Sequence, residues 1–329
     1  MFLKFFKKIL IFLSPVVVLG IGYFVFDPFQ ILKAYEAYPD NFAKSLNRDR
    51  ISTQIFLNNN PKYNYKSFIF GSSRSSVFYT EDWGKHINDK TPYHFDASCE
   101  TVYGIATKLE FIEKQGNKLD NVLLVWDRSI FEYEQDTLGC VFIQDYRVSQ
   151  LPWLKYHTIF LNSYFSQGFF TAFYDYMLFR NYRDYMMTYL EFRKINYTPV
   201  VNDFIFTSYI DEIKRDSVKY YNHPTLFYKR SPEKQLVGKV IKPYQQQYLK
   251  RIKAVLERNN TNYKIVLGPT YDQKYFNTDD LKVLQNFFGE EHIYDFSGQN
   301  EYTNDKTNYY EIYHYKPNVA RDIMDRIYR

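Results

Sequence analysis

Short apolar runs alternate with amphipathic stretches over most of the chain. Apolar runs bounded by turn residues predict five strands, at residues 67–70, 93–95, 122–126, 263–267 and 292–294. Helical spacing with end signals predicts helices at residues 103–115, 244–258, 279–288 and 317–328. Because strands that alternate with helices are typical of parallel sheets, we expect an α/β fold with a three-layer, doubly wound parallel sheet.

Two regions depart from this rhythm. Residues 9–26 contain no charged side chain, and a helix of that length spans about 27 Å, close to the thickness of the hydrocarbon core of a bilayer. Residues 140–240 mix aromatic and charged side chains without a strand period, and we interpret them as a large, mainly helical insertion. The predicted organisation is a short N-terminus, a transmembrane anchor, a connector and an α/β domain that contains the insertion, at residues 1–8, 9–26, 27–60 and 61–329.

The charges beside the uncharged run predict its orientation. Lys4, Lys7 and Lys8 precede it, and the first charge after it is Asp27. Because positive charge is retained on the cytoplasmic side, we expect the N-terminus inside and everything from residue 27 outside. A cleaved signal peptide is the alternative, but its cleavage site requires small residues, and residues 22–27 are mostly bulky.

Composition narrows the classes of function. The formal net charge is +5, and three lysines near the N-terminus account for three of these charges, so the remainder carries +2. Nucleic-acid binding is not expected of a nearly neutral body. Cys99 and Cys140 are the two cysteines, and no Cys/His cluster predicts a structural zinc site. Whether they form a disulfide or remain thiols stays open.

A serine-rich turn follows the first predicted strand, at the sheet edge where sites form in parallel α/β folds. Gly71 permits a sharp turn, and Ser73 would then lie near a helix N-terminus, where N–H groups can stabilise an oxyanion. The alternative is a loop in which one hydroxyl caps a helix. Because position 75 is serine, the stretch lacks the Gly-x-Ser-x-Gly pattern of an α/β-hydrolase elbow.

Two other elements carry candidate chemistry. Glu311 lies three residues before His314, just ahead of the last predicted helix, so its carboxylate can accept a hydrogen bond from the ring and leave the other nitrogen as a base. An ordinary exposed histidine beside an acid is the alternative. Asp127 and Arg128 follow the strand at residues 122–126, and they either bind a polar substrate or form a surface ion pair.

The two blocks together resemble the SGNH/GDSL hydrolase superfamily. The first is the strand followed by Gly71-Ser72-Ser73, and the second is Glu311-Ile312-Tyr313-His314 ahead of the last helix. The sequence at 294–298 and 309–315 also resembles a membrane-anchored branch, which includes the D-alanyl transfer protein of teichoic acid modification and alginate acetylation proteins. The resemblance covers roughly residues 60–130 and 240–329, and it implies a flavodoxin-like sheet.

This resemblance implies a function and a set of site residues. The expected nucleophile is Ser73, the base His314 and the acid Glu311, and the substrate-binding candidates are Arg74, Asp127 and Arg128. The implied activity is that of a serine esterase or O-acyltransferase on acylated cell-envelope polysaccharide, outside the bacterial cytoplasmic membrane, without metal or organic cofactor. The implied partners are the acylated glycan, the membrane and a multi-pass membrane O-acyltransferase. The alternative is a non-catalytic accessory subunit that presents a glycan or an acyl carrier to such an acyltransferase.

Two positions depart from the pattern of this family. Glu311 stands where the family has aspartate, and residues 125–128 lack the Gly-x-Asn-Asp block that supplies an oxyanion-hole asparagine. Backbone N–H groups of Ser73 and of residues 98–104 are then the expected donors. The retained serine, histidine and acid favour an enzyme, and the missing asparagine favours the accessory subunit. If the triad is real, Ser73 Oγ should lie within roughly 4 Å of a ring nitrogen of His314.

Overall fold

The computed structural model describes residues 19–38, 46–133, 139–190 and 196–329, together with positions 5, 12, 14 and 17. The described residues from 19 onward form two compact units. The smaller unit has residues 19–35, 46 and 152–190, and the larger unit has the rest. All six predicted site residues belong to the larger unit.

The larger unit contains a five-stranded sheet in which every pairing is parallel. The strands of the described residues are β1 (Ser67–Gly71), β2 (Tyr93–His94), β3 (Asn121–Trp126), β4 (Asn196–Tyr197), β5 (Phe204–Ile205), β6 (Gln235–Leu236), β7 (Asn262–Leu267), β8 (Lys274–Tyr275), β9 (Ile293–Asp295), β10 (Tyr309–Glu311) and β11 (His314–Tyr315). The large sheet has the order β2-β1-β3-β7-β9, and two-stranded sheets join β4 to β5, β6 to β8 and β10 to β11. Ranked along the chain, the large sheet reads 2-1-3-4-5, a common order in doubly wound sheets.

Helices surround this sheet and also form the smaller unit. They are α1 (Arg48–Tyr63), α2 (Thr80–Ile87), α3 (Val102–Lys114), α4 (Tyr146–Ser149), α5 (Trp153–Tyr164), α6 (Gln167–Phe179), α7 (Thr207–Arg215), α8 (Ser217–Tyr221), α9 (Pro243–Arg258), α10 (Thr278–Phe288), α11 (Glu301–Asn304) and α12 (Pro317–Ile327). Within the larger unit, α2 packs against α12, and α9 packs against both α3 and α10. The chain between β3 and α9, which holds the predicted insertion, contains α4 to α8 and the short strands β4 to β6.

Successive side chains of a strand point to opposite faces of the sheet. Both faces are buried, because helices pack on each of them. On one face, Ile69 and Leu123 share a core with Ile323 of α12. On the other face, the ring of Phe68 packs 6.2 Å from that of Phe56 in α1. Burial of each such side chain contributes about 1.5–3 kcal/mol. The α/β class and the parallel sheet are confirmed, and the arrangement is consistent with three layers.

The smaller unit is helical. Residues 19–26 form helix and pack on α5 and α6, where the ring of Tyr23 lies 5.2 Å from that of Tyr164. Among the described residues, no helix combines the length and the apolar character needed to cross a bilayer. Most of residues 9–18, the first part of the anchor predicted at residues 9–26, lie outside the described residues.

Candidate functional site

The turn that carries Ser73 is set by a close approach of two strands. β1 ends at Gly71, where an added Cβ would lie 2.5 Å from the carbonyl oxygen of Val125 in β3, so a larger residue would not fit. The chain then enters a 3₁₀ turn over Ser73–Val77, and the side chain of Ser72 caps it by accepting a hydrogen bond from the Arg74 N–H. Ser73 is therefore the first residue of the turn, and it is partly exposed.

The acid and the histidine face each other across a hairpin. Strands β10 and β11 are antiparallel, and Glu311 pairs with His314 across the two residues that connect them. Glu311 Oε1 accepts a hydrogen bond from His314 Nδ1, and Glu311 Oε2 accepts one from the N–H of Tyr313 at 2.8 Å. The expected fold-back of the acid onto the histidine is confirmed, and the hairpin provides its geometry.

Ser73 and His314 meet although 241 positions separate them. Ser73 Oγ lies 2.9 Å from His314 Nε2, so the predicted proximity is confirmed. Because Nδ1–H is committed to the carboxylate of Glu311, Nε2 is the unprotonated nitrogen and accepts the Ser73 O–H. The ring of Phe206 packs against the imidazole, with the ring centroids 4.9 Å apart. The geometry is that of a serine activated by a histidine that an acid orients.

Arg74 ties three segments of the site together. Its Nη1 forms an ion pair of 2.8 Å with Asp127 Oδ2 and donates to Ser129 Oγ at 3.1 Å, and its Nε donates to the carbonyl oxygen of Tyr313 at 3.1 Å. Burial opposes ionisation of Asp127, but the charge of Arg74 and the hydrogen bonds from Ser129 outweigh it and hold the pKa of Asp127 below its ordinary value. Arg74 and Asp127 therefore have a structural role in addition to the substrate-binding role expected of them.

Arg128 contacts different side chains from those that Arg74 contacts. Its side chain is 39% exposed, and its nitrogens lie 3.6 Å from Glu132 and 3.8 Å from Asp272. Asp127 and Arg128 thus pair with other residues and not with each other. They line a cavity of about 20 Å³ beside Gly268, which is room for one water molecule and not for a sugar ring.

A second serine–histidine–acid array involves the same turn, and no sequence motif predicted it. Ser75 Oγ lies 3.0 Å from His94 Nε2, and His94 Nδ1 lies 3.3 Å from Asp203 Oδ1. All three residues are buried, and Ser75 O–H donates to the carbonyl oxygen of Ser72 at 2.8 Å. Because the Ser75 proton is committed elsewhere and no substrate reaches the group, we interpret this array as a support for the turn.

The structure leaves fewer of the expected backbone N–H groups available as oxyanion donors. The Ser73 N–H opens its turn, so it has no acceptor within that turn. In the segment 98–104, the Thr101 N–H donates to Glu100 and the Gly104 N–H donates to Thr101 Oγ1 at 3.0 Å. These two N–H groups are committed to side chains, whereas the Ser73 N–H has no acceptor within its turn and stays a candidate donor.

The described residues hold no cluster of three or more His, Cys, Asp and Glu side chains suited to a metal ion. Cys99 and Cys140 are free thiols, so the open question of their state is answered against a disulfide in this structure. Comparison with protein-family models and with curated protein sequences finds no match to this chain.

Proposed function

We propose that this protein is a membrane-anchored, extracytoplasmic serine esterase or O-acyltransferase of SGNH type that acts on acylated cell-envelope polysaccharide. The observation that carries the proposal is the hydrogen-bonded chain from Ser73 through His314 to Glu311. Ser73 is partly exposed, whereas Ser75, which also lies at hydrogen-bond distance from a histidine, is buried.

The position of the site in the sheet supports this assignment. The strand order reverses between β1 and β3, and ligands of such sheets bind at the carboxyl ends of the strands at that reversal. Ser73 follows β1, and Asp127 follows β3. A fold of this kind serves many chemistries, so the residues at the reversal carry the argument for acyl chemistry and the fold only locates them.

The proposed reaction has two halves. Ser73 Oγ attacks the carbonyl carbon of the ester while His314 Nε2 takes its proton, and the carboxylate of Glu311 stabilises the resulting imidazolium. His314 then returns the proton to the oxygen of the leaving alcohol as the C–O bond breaks, which leaves an acyl group on Ser73. In the second half, water or a sugar hydroxyl attacks this acyl group and gives its proton to His314. His314 passes that proton to Ser73 Oγ as the acyl–oxygen bond breaks, which releases Ser73.

The anchor and its orientation are proposed from the N-terminal sequence. The uncharged run at residues 9–26 follows Lys4, Lys7 and Lys8, which favours a single span with the catalytic unit outside the cytoplasmic membrane. A glycan would then reach the site in the envelope, and a multi-pass membrane O-acyltransferase would supply or receive the acyl group.

The accessory-subunit function remains the second candidate, and one observation favours it. Asp127 stands after β3, in the region where the resembled family carries its oxyanion asparagine. An ionised carboxylate paired with Arg74 accepts hydrogen bonds and donates none, so it cannot stabilise an oxyanion. In this function the domain would hold a glycan or an acyl carrier for a membrane-bound acyltransferase.

A fluorophosphonate probe tests the proposal, because it forms a covalent bond only with an activated serine. We expect the full chain to be labelled, Ser73→Ala to lose the label and Ser75→Ala to keep it. Ser75 is the matched control, since it also lies at hydrogen-bond distance from a histidine. Absence of labelling in the wild type, together with loss of envelope acylation on deletion of the gene, would instead establish the accessory subunit.

A further inference from the structure

Exposed apolar side chains are concentrated in the smaller unit. Among the described residues between 152 and 190, nine large apolar side chains are more than a third exposed, and the most exposed are Leu154, Leu178, Phe179 and Met187. The far longer larger unit has five such side chains in its described part. Exposed apolar groups at this density mark a surface that contacts something other than water.

This surface is fixed to the end of the uncharged N-terminal run. Tyr164 OH donates to the carbonyl oxygen of Leu19 at 3.0 Å, and the ring of Phe26 packs 6.0 Å from that of Phe173. Both contacts join the helical residues 19–26 to α5 and α6. Whatever environment receives the uncharged run therefore lies close to residues 152–190 as well.

The side chains of the surface are of the kind found at a membrane boundary. Tryptophan, tyrosine and basic residues are enriched where the hydrocarbon meets the headgroups, since each has an apolar body and a polar end. Trp153 is 56% exposed beside Leu154, and the guanidinium of Arg183 lies over the ring of Phe179 at 5.6 Å. Lys155 and Arg180 are exposed next to the same apolar groups.

We infer that residues 152–190 lie in the headgroup–acyl boundary of a lipid bilayer and form a second, interfacial membrane contact. This inference rests on the proposed anchor, because the run at residues 9–26 is what brings the surface to the membrane. With two membrane contacts, the anchor and residues 152–190, the smaller unit lies against the bilayer surface and is not attached through the anchor alone.

Tryptophan fluorescence tests the inference on the full chain. Of the three tryptophans, Trp83 and Trp126 are at most 1% exposed, so Trp153 is the one that lipid can reach. The protein is reconstituted into phosphatidylcholine–phosphatidylglycerol vesicles with brominated acyl chains. We expect loss of about half of the Trp153 emission, since interfacial side chains lie some 5–10 Å into the boundary. Trp153→Phe should remove the lipid-dependent change.

Charge substitutions supply a matched comparison. Leu178→Glu places a charge on the surface at a side chain 74% exposed, and Val218→Glu does the same in the larger unit at a side chain 72% exposed. Both variants should fold, because neither side chain is part of a core. We expect Leu178→Glu to weaken the quenching of Trp153 by lipid, and Val218→Glu to leave it unchanged.

The outcomes separate this inference from the proposed anchor. A chain that floats with the vesicles while Trp153 emission is unaffected by brominated lipid would overturn the interfacial contact and leave the anchor intact. Shielding of Trp153 from aqueous acrylamide in that situation would identify a protein partner or a second copy as the occupant, which also overturns it. A chain that does not float with vesicles would overturn the anchor and this contact together.

Discussion

Arg74→Met offers the most direct test of how the site is held together. The substitution removes the guanidinium that pairs with Asp127 and donates to Ser129 and to the carbonyl oxygen of Tyr313. Methionine keeps much of the apolar bulk, so the change is mainly one of charge and hydrogen bonding.

The size of the destabilisation expected for Arg74→Met follows from the burial of Asp127. Asp127 is only 4% exposed, and loss of its cation leaves a buried carboxylate with the two hydrogen bonds from Ser129 alone. Breaking a buried pair in this way costs about 3–5 kcal/mol. Since 1 kcal/mol shifts the Tm of a large domain by about 2–4 °C, we expect Arg74→Met to lower Tm by about 6–20 °C.

The loss of unfolding free energy caused by Arg74→Met should also depend on pH. Because the pKa of Asp127 is lowered in the folded protein, the pair stabilises it at pH values above the ordinary carboxyl pKa, and this contribution is lost as pH falls through the lowered pKa. The difference in unfolding free energy between wild type and Arg74→Met, measured by urea titration, should therefore shrink below about pH 4.

Two variants control the interpretation. Arg128→Met removes an arginine that is 39% exposed and whose pairs exceed 3.5 Å, so it should cost less than about 1 kcal/mol. The double variant Arg74→Met/Asp127→Asn removes both charges and should recover part of the lost stability. An Arg74→Met variant as stable as Arg128→Met, or a double variant no more stable than Arg74→Met alone, would refute the reasoning.

Three further predictions concern the triad, its support and the topology. Glu311→Gln should lower acyl turnover by roughly 10²–10⁴-fold in an ester-hydrolysis assay, because the amide can present the wrong face to the imidazole. Glu311→Asp should retain most activity. Equal rates for the two variants would exclude a role of the Glu311 carboxylate in orienting His314. His94→Ala should cost about 1–3 kcal/mol in urea unfolding, since it removes a buried ring that contacts Ser75 and Asp203, while Asp203 keeps its hydrogen bonds from Thr80. An unchanged midpoint would contradict this. Protease added to intact spheroplasts should digest residues 60–329, and full protection would reverse the predicted orientation.

The parts of the fold that could be predicted from sequence are those with a continuous apolar signal. Strands β1 and β3 are buried over most of their length and read as nearly unbroken apolar runs, and β7 is buried in its second half, at residues 265–267. The two-residue pairs β4–β5 and β6–β8 are too short to show any period, and neighbouring segments of the chain determine them.

The site residues also divide into those that could be predicted from sequence and those that could not. Ser73 and the Glu311–His314 block each follow or precede a recognisable element, and the rule that strand ends meet at one edge brings them together. The partners of Arg74 could not be predicted, because an ion pair leaves no periodic signal and its geometry depends on three separate segments. Asp127 did carry a local signal, since aspartate is a preferred N-cap residue, and in the structure its side chain accepts a hydrogen bond from the Ser129 N–H.

The distance along the chain between the two halves of the triad affects when the serine becomes reactive. A polypeptide that emerges from a translocon N-terminus first would expose β1 and Ser73 long before the hairpin that carries His314 has been made. Until that hairpin docks, with closure of a loop of 241 positions, the hydroxyl is an ordinary alcohol with no base beside it. Under the proposed function and orientation, Ser73 would therefore have no activating base during export until this hairpin has docked.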